Sequence, residues 1–149
     1  MKQLRKSVFE TNSSSSHSIS IDSTGAIDTS LIPDDNGVLI LGYGCNVEFG
    51  WEQEEYNDAE TKAVYSYLQA AASGNEKYTT MLYDVIMKQT AAKEVIFAVG
   101  TQYGDDNYGY IDHQSAIYEA GYEPFDSEAK LRDFIFKRGS YIETDNDNH

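Results

Sequence analysis

Residues 57–86 of this 149-residue chain, NDAETKAVYSYLQAAASGNEKYTTMLYDVI, contain two helical patterns in succession. In each half, apolar side chains recur every three or four residues, which places them on one face of an α-helix. Asn57 and Glu60 have the three-residue spacing by which two side chains satisfy free amides at a helix start, and Ser73 and Glu76 repeat it. Because residues 73–75 form a short connection, we expect two antiparallel helices. The predicted apolar faces consist of Tyr56, Ala63, Val64, Tyr67, Leu68 and Ala71, and of Tyr78, Met81, Leu82, Val85 and Ile86.

Strand patterns surround this helical pair on both sides. The predicted strands cover residues 17–21, 37–41, 45–49, 94–100, 109–114 and 141–142. Residues 37–49 are expected to form a hairpin, since Gly42-Tyr43-Gly44 interrupts two strand patterns. A third helix should follow a cap at Asp126 or Ser127. The sequence therefore predicts one α+β domain over residues 1–149, in which an antiparallel helix pair and a C-terminal helix pack on a mixed or antiparallel sheet.

The formal charge of −14 is unevenly distributed along the chain. Between residues 7 and 61 there are 11 Asp and Glu residues and no Lys or Arg. Such a surface repels phosphates, so direct nonspecific nucleic-acid binding is not expected, and a protein with a basic surface is the expected partner. Ordinary solubility charge is the alternative explanation. Acids cluster beside two aromatic residues, which predicts a partner-binding surface formed by Trp51, Glu52, Glu54, Glu55 and Tyr56.

Cysteine content and hydropathy limit the class of protein. The single cysteine, Cys45, excludes a disulfide within the chain and is interpreted as a core residue. No apolar run is long enough to cross a bilayer, and the basic N-terminus is followed by serines instead of an apolar segment. We therefore expect no membrane association and a location in the cytoplasm. Strand edges and tyrosines would permit a homo-oligomer.

Three polar clusters lie beside predicted strands, at residues 11–18, 112–115 and 144–149. The first is expected to be an ordered loop at a sheet edge, with Thr11, Asn12, Ser13 and Ser15 available to bind an anion or to cap backbone groups. A serine-rich linker is the alternative for this segment. The candidate catalytic residues are His17, His113 and Asp112.

A metal site is one use of these clusters, because imidazoles and carboxylates are ligands of zinc, manganese and iron. The candidate ligands of such a divalent metal are His113, Asp145 and Asp147. Two simpler explanations compete with this one: a structural, hydrogen-bonded histidine and a solvated C-terminal tail. No cofactor is expected unless the polar clusters form an active site, in which case a divalent metal is the expected cofactor.

Several blocks of the sequence resemble a group of small phage and prophage proteins. The opening, Arg5-Lys6-Ser7-Val8-Phe9-Glu10-Thr11-Asn12-Ser13-Ser14-Ser15-Ser16-His17-Ser18, is similar to the start of that group, Arg-x-x-Phe-Glu-Thr-Asn-Ser-Ser-Ser-x-His-Ser. The segments 49–56, 109–115 and 144–148 resemble its later blocks. The resemblance implies a phage origin and a single domain, and it implies no catalytic role.

Two functions from different classes follow from these observations. The first is a phage-encoded accessory protein that binds a host macromolecule through an acidic, tyrosine-rich surface and interferes with host defence or host machinery. The second is a small metal-assisted hydrolase, or a phosphoryl or nucleotidyl transferase, that uses the three polar clusters. A virion or assembly component is a third possibility.

Overall fold

The computed structural model describes residues 15–50, 54–111 and 122–146, and for residues 15–17 and 145–146 it describes the backbone alone. These ranges form an α+β fold with an antiparallel helix pair and a C-terminal helix, as predicted. The helices are α1 (Ala59–Ser73), α2 (Glu76–Thr90) and α3 (Glu128–Phe136), and a 3₁₀ turn (Glu123–Asp126) precedes α3. The strands are β1 (Ser15–Ser20), β2 (Val38–Leu41), β3 (Glu48–Phe49), β4 (Glu54–Tyr56), β5 (Glu94–Phe97), β6 (Tyr110–Ile111) and β7 (Tyr141–Asn146).

The described strands form three small sheets around the helices. In the largest, the central strand β7 pairs antiparallel with β1 on one side and β4 on the other. The other two sheets each contain one parallel pair, β2 with β5 and β3 with β6. The predicted hairpin of residues 37–49 is therefore wrong, because its two halves belong to different sheets. Each half instead pairs with a strand that follows the helical hairpin, and such a crossover has the length that parallel pairing requires.

Helix α1 is the centre of the core. It is buried on nearly all sides, and Tyr65 is 0% exposed and packs edge to face against Phe49, with ring centroids 5.2 Å apart. Tyr67, which was predicted to be in the core, is half-buried and stacks on Phe97 at 4.3 Å. The periodicity predicted one apolar face, whereas α2, α3 and the strands contact α1 from several directions. The central helix therefore also buries polar side chains: Thr61, Lys62, Ser66 and Gln69.

The helix starts are determined by short polar side chains. Ser127, one of the two residues predicted to cap α3, accepts a hydrogen bond from the Lys130 amide at 3.1 Å. The predicted cap of α2 at Ser73 is wrong by two residues: Asn75 accepts from the Lys77 amide at 3.0 Å, whereas Ser73 accepts from the Asn75 amide. The predicted cap of α1 is wrong by one residue: Asp58, not Asn57, accepts from the Thr61 amide at 2.9 Å. The Glu60 carboxylate, expected to complete that cap, instead accepts the Gly42 amide at 2.9 Å and holds the turn after β2 against α1.

Strand β7 continues beyond the predicted end at residue 142, and β1 starts before the predicted beginning at residue 17. The polar segment 15–18 and the polar residues 144–146 are therefore strands along the described part of their length. They pair with each other, so each supplies backbone donors and acceptors to the other although neither contains an apolar pattern there. Their pairing replaces part of the predicted loop and part of the predicted tail.

Candidate binding surface

The sheet of β1, β7 and β4 presents acidic side chains at its exposed side. Glu55 of β4 lies directly opposite Glu143 of β7, and both side chains are exposed. Glu54, also exposed, precedes Glu55 in the edge strand β4; because neighbouring side chains of a strand point to opposite faces, Glu54 lies on the face of Thr144 instead of that of Glu55 and Glu143. We refer to Glu54, Glu55 and Glu143 as the acidic edge. Opposed like charges destabilise a strand pair, so this register costs stability.

No cation among the described residues compensates the acidic edge. The ion pairs within residues 15–50, 54–111 and 122–146 join other side chains, for example Lys88 with Glu128 at 3.0 Å. Glu143 has Ser18 as its neighbour on the other side, in β1. The acidic edge is therefore a surface of one sign of charge, which attracts basic molecules.

Tyr56 connects the acidic edge to the core. Its ring meets Phe49 edge to face at 5.6 Å, and Phe49 in turn packs against the fully buried Tyr65. Opposite Tyr56, Ile142 is 0% exposed, so the inner face of this sheet is firmly packed. Two further members of the predicted partner-binding set, Trp51 and Glu52, lie outside the described residues. The structure thus brings Glu54, Glu55 and Tyr56 together on one short strand and adds Glu143, which was not predicted.

Two of the three polar clusters meet through the pairing of β1 with β7. The register places Ser15 opposite Asn146, Ser16 opposite Asp145, and His17 opposite Thr144. Thr144 is buried, and its Oγ1 lies 3.5 Å from the backbone oxygen of Glu54. The described backbones of these two clusters are therefore adjacent, whereas the third cluster, residues 112–115, lies outside the described residues.

The remaining candidate site residues fall outside the described ranges: Thr11, Asn12, Ser13, Asp112, His113 and Asp147. Strand β6 ends at Ile111, immediately before the second polar cluster. Within the part of the chain that the structure describes, no three His, Cys, Asp or Glu residues are grouped so that they could hold a metal ion. The metal-ligand prediction His113, Asp145 and Asp147 therefore stays a prediction.

A buried charge network that sequence reasoning missed joins the start of α1 to the end of α3. The Lys62 ammonium is 0% exposed and donates to the backbone oxygens of Lys137 at 2.7 Å and Ser140 at 2.8 Å. Burial lowers the pKa of Lys62 to about 8, against the opposing attraction of Asp28 and Asp58. A signal existed in the sequence, because Asp58, Lys62, Ser66 and Gln69 form a polar line at helical spacing.

Asp28 is the carboxylate partner of this network. It is 4% exposed and accepts hydrogen bonds from the amides of Ser30 at 2.9 Å and Ala59 at 3.2 Å. Burial acts to raise the pKa of the Asp28 carboxyl, but hydrogen bonds from Ser30 and Ala59 outweigh it, and the pKa lies below its ordinary value. Asp28 therefore stays ionised, holds the start of α1 and offsets part of the cost of burying Lys62.

Cys45 is half-buried, and its thiol is not activated. Burial and the nearby carboxylates of Glu60 and Asp58 raise the pKa of Cys45 to about 12. A thiol with such a pKa is protonated at neutral pH and is a poor nucleophile or metal ligand. The sequence-based interpretation of Cys45 as a packing residue agrees with this environment.

A second surface feature is a row of tyrosines beside a groove. Tyr103 is 93% exposed and meets Tyr108 edge to face at 5.9 Å, and Tyr108 stacks on Tyr110 at 5.6 Å. The adjacent groove has a volume of about 320 Å³ and is lined by Leu68, Ala71, Ala72, Thr101, Gln102, Tyr108, Gly109 and Tyr110. The sequence predicted a tyrosine-rich surface, but nothing in the local sequence pattern placed Tyr108 and Tyr110 beside helix α1.

Among the described residues, no helix combines the length and apolar character that a membrane span requires. Comparison of the chain with protein-family models, with curated proteins and with solved structures returns no match.

Proposed function

We propose that this chain is a phage-encoded accessory protein that binds a basic surface of a host protein through the acidic edge. The observation that carries this proposal is the register of Glu55 opposite Glu143, two exposed carboxylates that no described cation compensates. A pair of like charges that lowers the stability of the fold is consistent with a role in binding, because a basic partner would relieve the repulsion between the two carboxylates. The resemblance of the opening segment to phage and prophage proteins supports the phage origin. Interference with host defence or host machinery is the proposed role.

Tyr56, which is half-buried and lies on the inner face of β4, would add an anchor at the margin of this surface. Aromatic side chains that are held by a packed core contribute contact area at low entropic cost, and the edge-to-face contact of Tyr56 with Phe49 provides that support. The acids would set the charge of the partner and the rate of encounter, while the aromatic side chain would supply desolvated contact. Trp51 and Glu52 extend the proposed surface by their position in the sequence.

The test is a pull-down from lysate of the bacterial host with matched charge variants. The double variant Glu55→Lys and Glu143→Lys reverses two charges of the acidic edge. The double variant Asp35→Lys and Glu94→Lys makes the same change in net charge at exposed positions by the sheet of β2 and β5. We expect a specific basic partner with the wild type and the control, and its loss with the edge variant. Absence of a specific partner at low and moderate salt, or equal capture by both variants, would refute the proposal.

A second candidate function is a metal-assisted hydrolase or a phosphoryl or nucleotidyl transferase. The register of His17 opposite Thr144 and of Ser16 opposite Asp145 favours it, because it juxtaposes two of the polar clusters. A thermal-shift screen with zinc, manganese, magnesium and nucleotides tests this candidate on the wild type and on His17→Ala and His113→Ala. A ligand at a hundred times its dissociation constant adds about 2.7 kcal/mol to the free energy of unfolding. A shift that both variants lose would support the enzyme, and no shift with any ligand would remove it.

A further inference from the structure

The groove beside Tyr103, Tyr108 and Tyr110 has no role in the proposed acidic edge. We infer that it is a binding site for an arginine side chain of a basic polypeptide segment, with Tyr108 and Tyr110 in its lining and with Tyr103 and Asp106 exposed on the loop that borders it. This inference deepens the proposed function, because it names the residue type by which the basic partner is held at a second place on the surface.

The loop that carries Tyr103 and Asp106 is held in one conformation by hydrogen bonds. The Gln102 amide donates to the Asp105 carboxylate at 3.0 Å, and the Asp105 amide donates to the Gln102 oxygen at 3.0 Å. Asn107 has a φ of 49° and donates its side-chain amide to the backbone oxygens of Gly42 at 3.0 Å and Ala98 at 2.7 Å. These bonds attach the loop to the ends of β2 and β5. A preorganised loop loses little conformational entropy when a ligand binds.

At both ends of the loop there is a glycine, and the neighbouring atoms leave no space for a side chain at that position. A Cβ on Gly100 would overlap the Asp105 Cβ, and one on Gly109 would lie 2.6 Å from Val99 Cγ1. The loop therefore packs closely against β5 and its extension at both ends. Its exposed side chains are consequently presented by a fixed scaffold, and yet Tyr103 is 93% exposed. An aromatic ring held rigidly in solvent is an available contact for a partner.

The chemistry of the groove matches a guanidinium on an aliphatic stem. Leu68, Ala71 and Ala72 provide an apolar floor for the methylene groups, and the tyrosine faces provide a surface on which a planar cation stacks. The described lining contains no charged side chain, whereas Asp106 is exposed on the bordering loop. A carboxylate on the same short loop as the aromatic rings favours arginine over lysine, because the guanidinium is planar and forms two parallel hydrogen bonds with a carboxylate.

The experiment is a titration of ¹⁵N-labelled protein with a hexa-arginine peptide and, separately, a hexa-lysine peptide of equal charge, at an ionic strength of about 0.15 M. We expect the arginine peptide to shift amide resonances of residues 101–110 and to bind about two- to fivefold more tightly than the lysine peptide, the ratio that one surface cation–π contact provides. Tyr103→Ala should abolish this ratio. Tyr43→Ala, which removes another tyrosine that is 79% exposed, should retain it.

Three outcomes would overturn the inference. Equal affinity for the two peptides would reduce the interaction to bulk charge. Shifts confined to residues 54–56 and 143 would place the peptide on the acidic edge, which would refute the groove and leave the proposed function standing. Shifts at residues 101–110 with maltohexaose but not with the arginine peptide would make the groove a carbohydrate site. Conversely, an arginine preference that Tyr103→Ala removes would support the groove even if the charge variants of the acidic edge capture the partner normally.

Discussion

Replacement of Lys62 by methionine tests whether the buried ammonium is maintained at a cost to stability. The Met side chain keeps an apolar stem and removes the charge, the two hydrogen bonds to the backbone oxygens of Lys137 and Ser140, and the attraction to Asp28 and Asp58. Arg138 is the cation that opposes Lys62 in the same network. Because removing the amine also leaves two carbonyl oxygens without a donor, the change in the free energy of unfolding at one pH mixes opposing effects. The pH dependence separates them.

The sign and size of that dependence follow from the pKa. In the folded chain Lys62 has a pKa of about 8, compared with 10.5 for an ordinary lysine, so the unfolded chain binds more protons between these two values. The free energy of unfolding should therefore rise with pH in that window, and linkage gives a gain of about 2 kcal/mol between about pH 7 and about pH 9.5. Burial raises the pKa of Tyr65 and Tyr83, which opposes this gain only at higher pH.

The assay is urea denaturation of the wild type and Lys62→Met across this pH range. The difference in the free energy of unfolding, wild type minus variant, should increase by about 2 kcal/mol towards the alkaline end. The exposed Lys77→Met variant controls for the loss of one positive charge. Parallel curves for the wild type and Lys62→Met would show that the buried amine is not shifted, and would refute the description of this network.

Three further substitutions test the core, the network and the acidic edge. Leu82→Ala removes a side chain that is 0% exposed and should cost about 3 kcal/mol in urea denaturation, whereas the exposed Thr80→Ala should cost under about 0.5 kcal/mol; equal effects would contradict the assigned core. Asp28→Asn removes the charge of a buried carboxylate that caps α1, and it should lower the free energy of unfolding by about 2–3 kcal/mol at neutral pH. This difference from the wild type should shrink as acid protonates the native carboxyl. A difference that does not depend on pH would contradict an ionised Asp28. Glu143→Lys replaces a repulsion opposite Glu55 by an attraction and should raise the thermal midpoint by the equivalent of about 0.2–1 kcal/mol; a lower midpoint would contradict the register.

The local features of the chain were predictable from short-range patterns. Both helices of the hairpin, the Ser127 cap, and the apolar strands at residues 38–41 and 94–97 depend on neighbours within one or two turns. Gly74 ends α1 with a φ of 69°, a conformation that glycine adopts at no steric cost. The cap of α1 was predicted at Asn57 because Asn57 and Asp58 are adjacent and the side chains of both can accept a hydrogen bond from a helix amide. In the structure Asp58 accepts the Thr61 amide, and the Glu60 carboxylate accepts the Gly42 amide instead of completing the cap.

The candidate site was only partly predictable. Glu54, Glu55 and Tyr56 could be named from the sequence, because a cluster of acidic residues beside an aromatic residue is visible within a few consecutive positions. Glu143 was missed, because its place in the acidic edge depends on which residue of β7 pairs with β4. The tyrosine groove was missed for the same reason, since it needs the loop at residues 101–110 to contact α1.

The sequence by itself determined where the chain is helical, which runs are apolar, and that the molecule carries a charge of −14, since these depend on residue type and spacing along the chain. Only the tertiary structure decided the partners of the strands. The apolar run at residues 38–41 could satisfy its hydrogen bonds with the nearest strand, but burial against the helical hairpin favours parallel pairing with residues 94–97. Likewise the polar residues of β1 and β7 become strands because each supplies the other's backbone hydrogen bonds. Backbone pairing between distant segments leaves no periodic signature in the side chains, and that is why the register of Glu55 against Glu143 emerged from the folded chain alone.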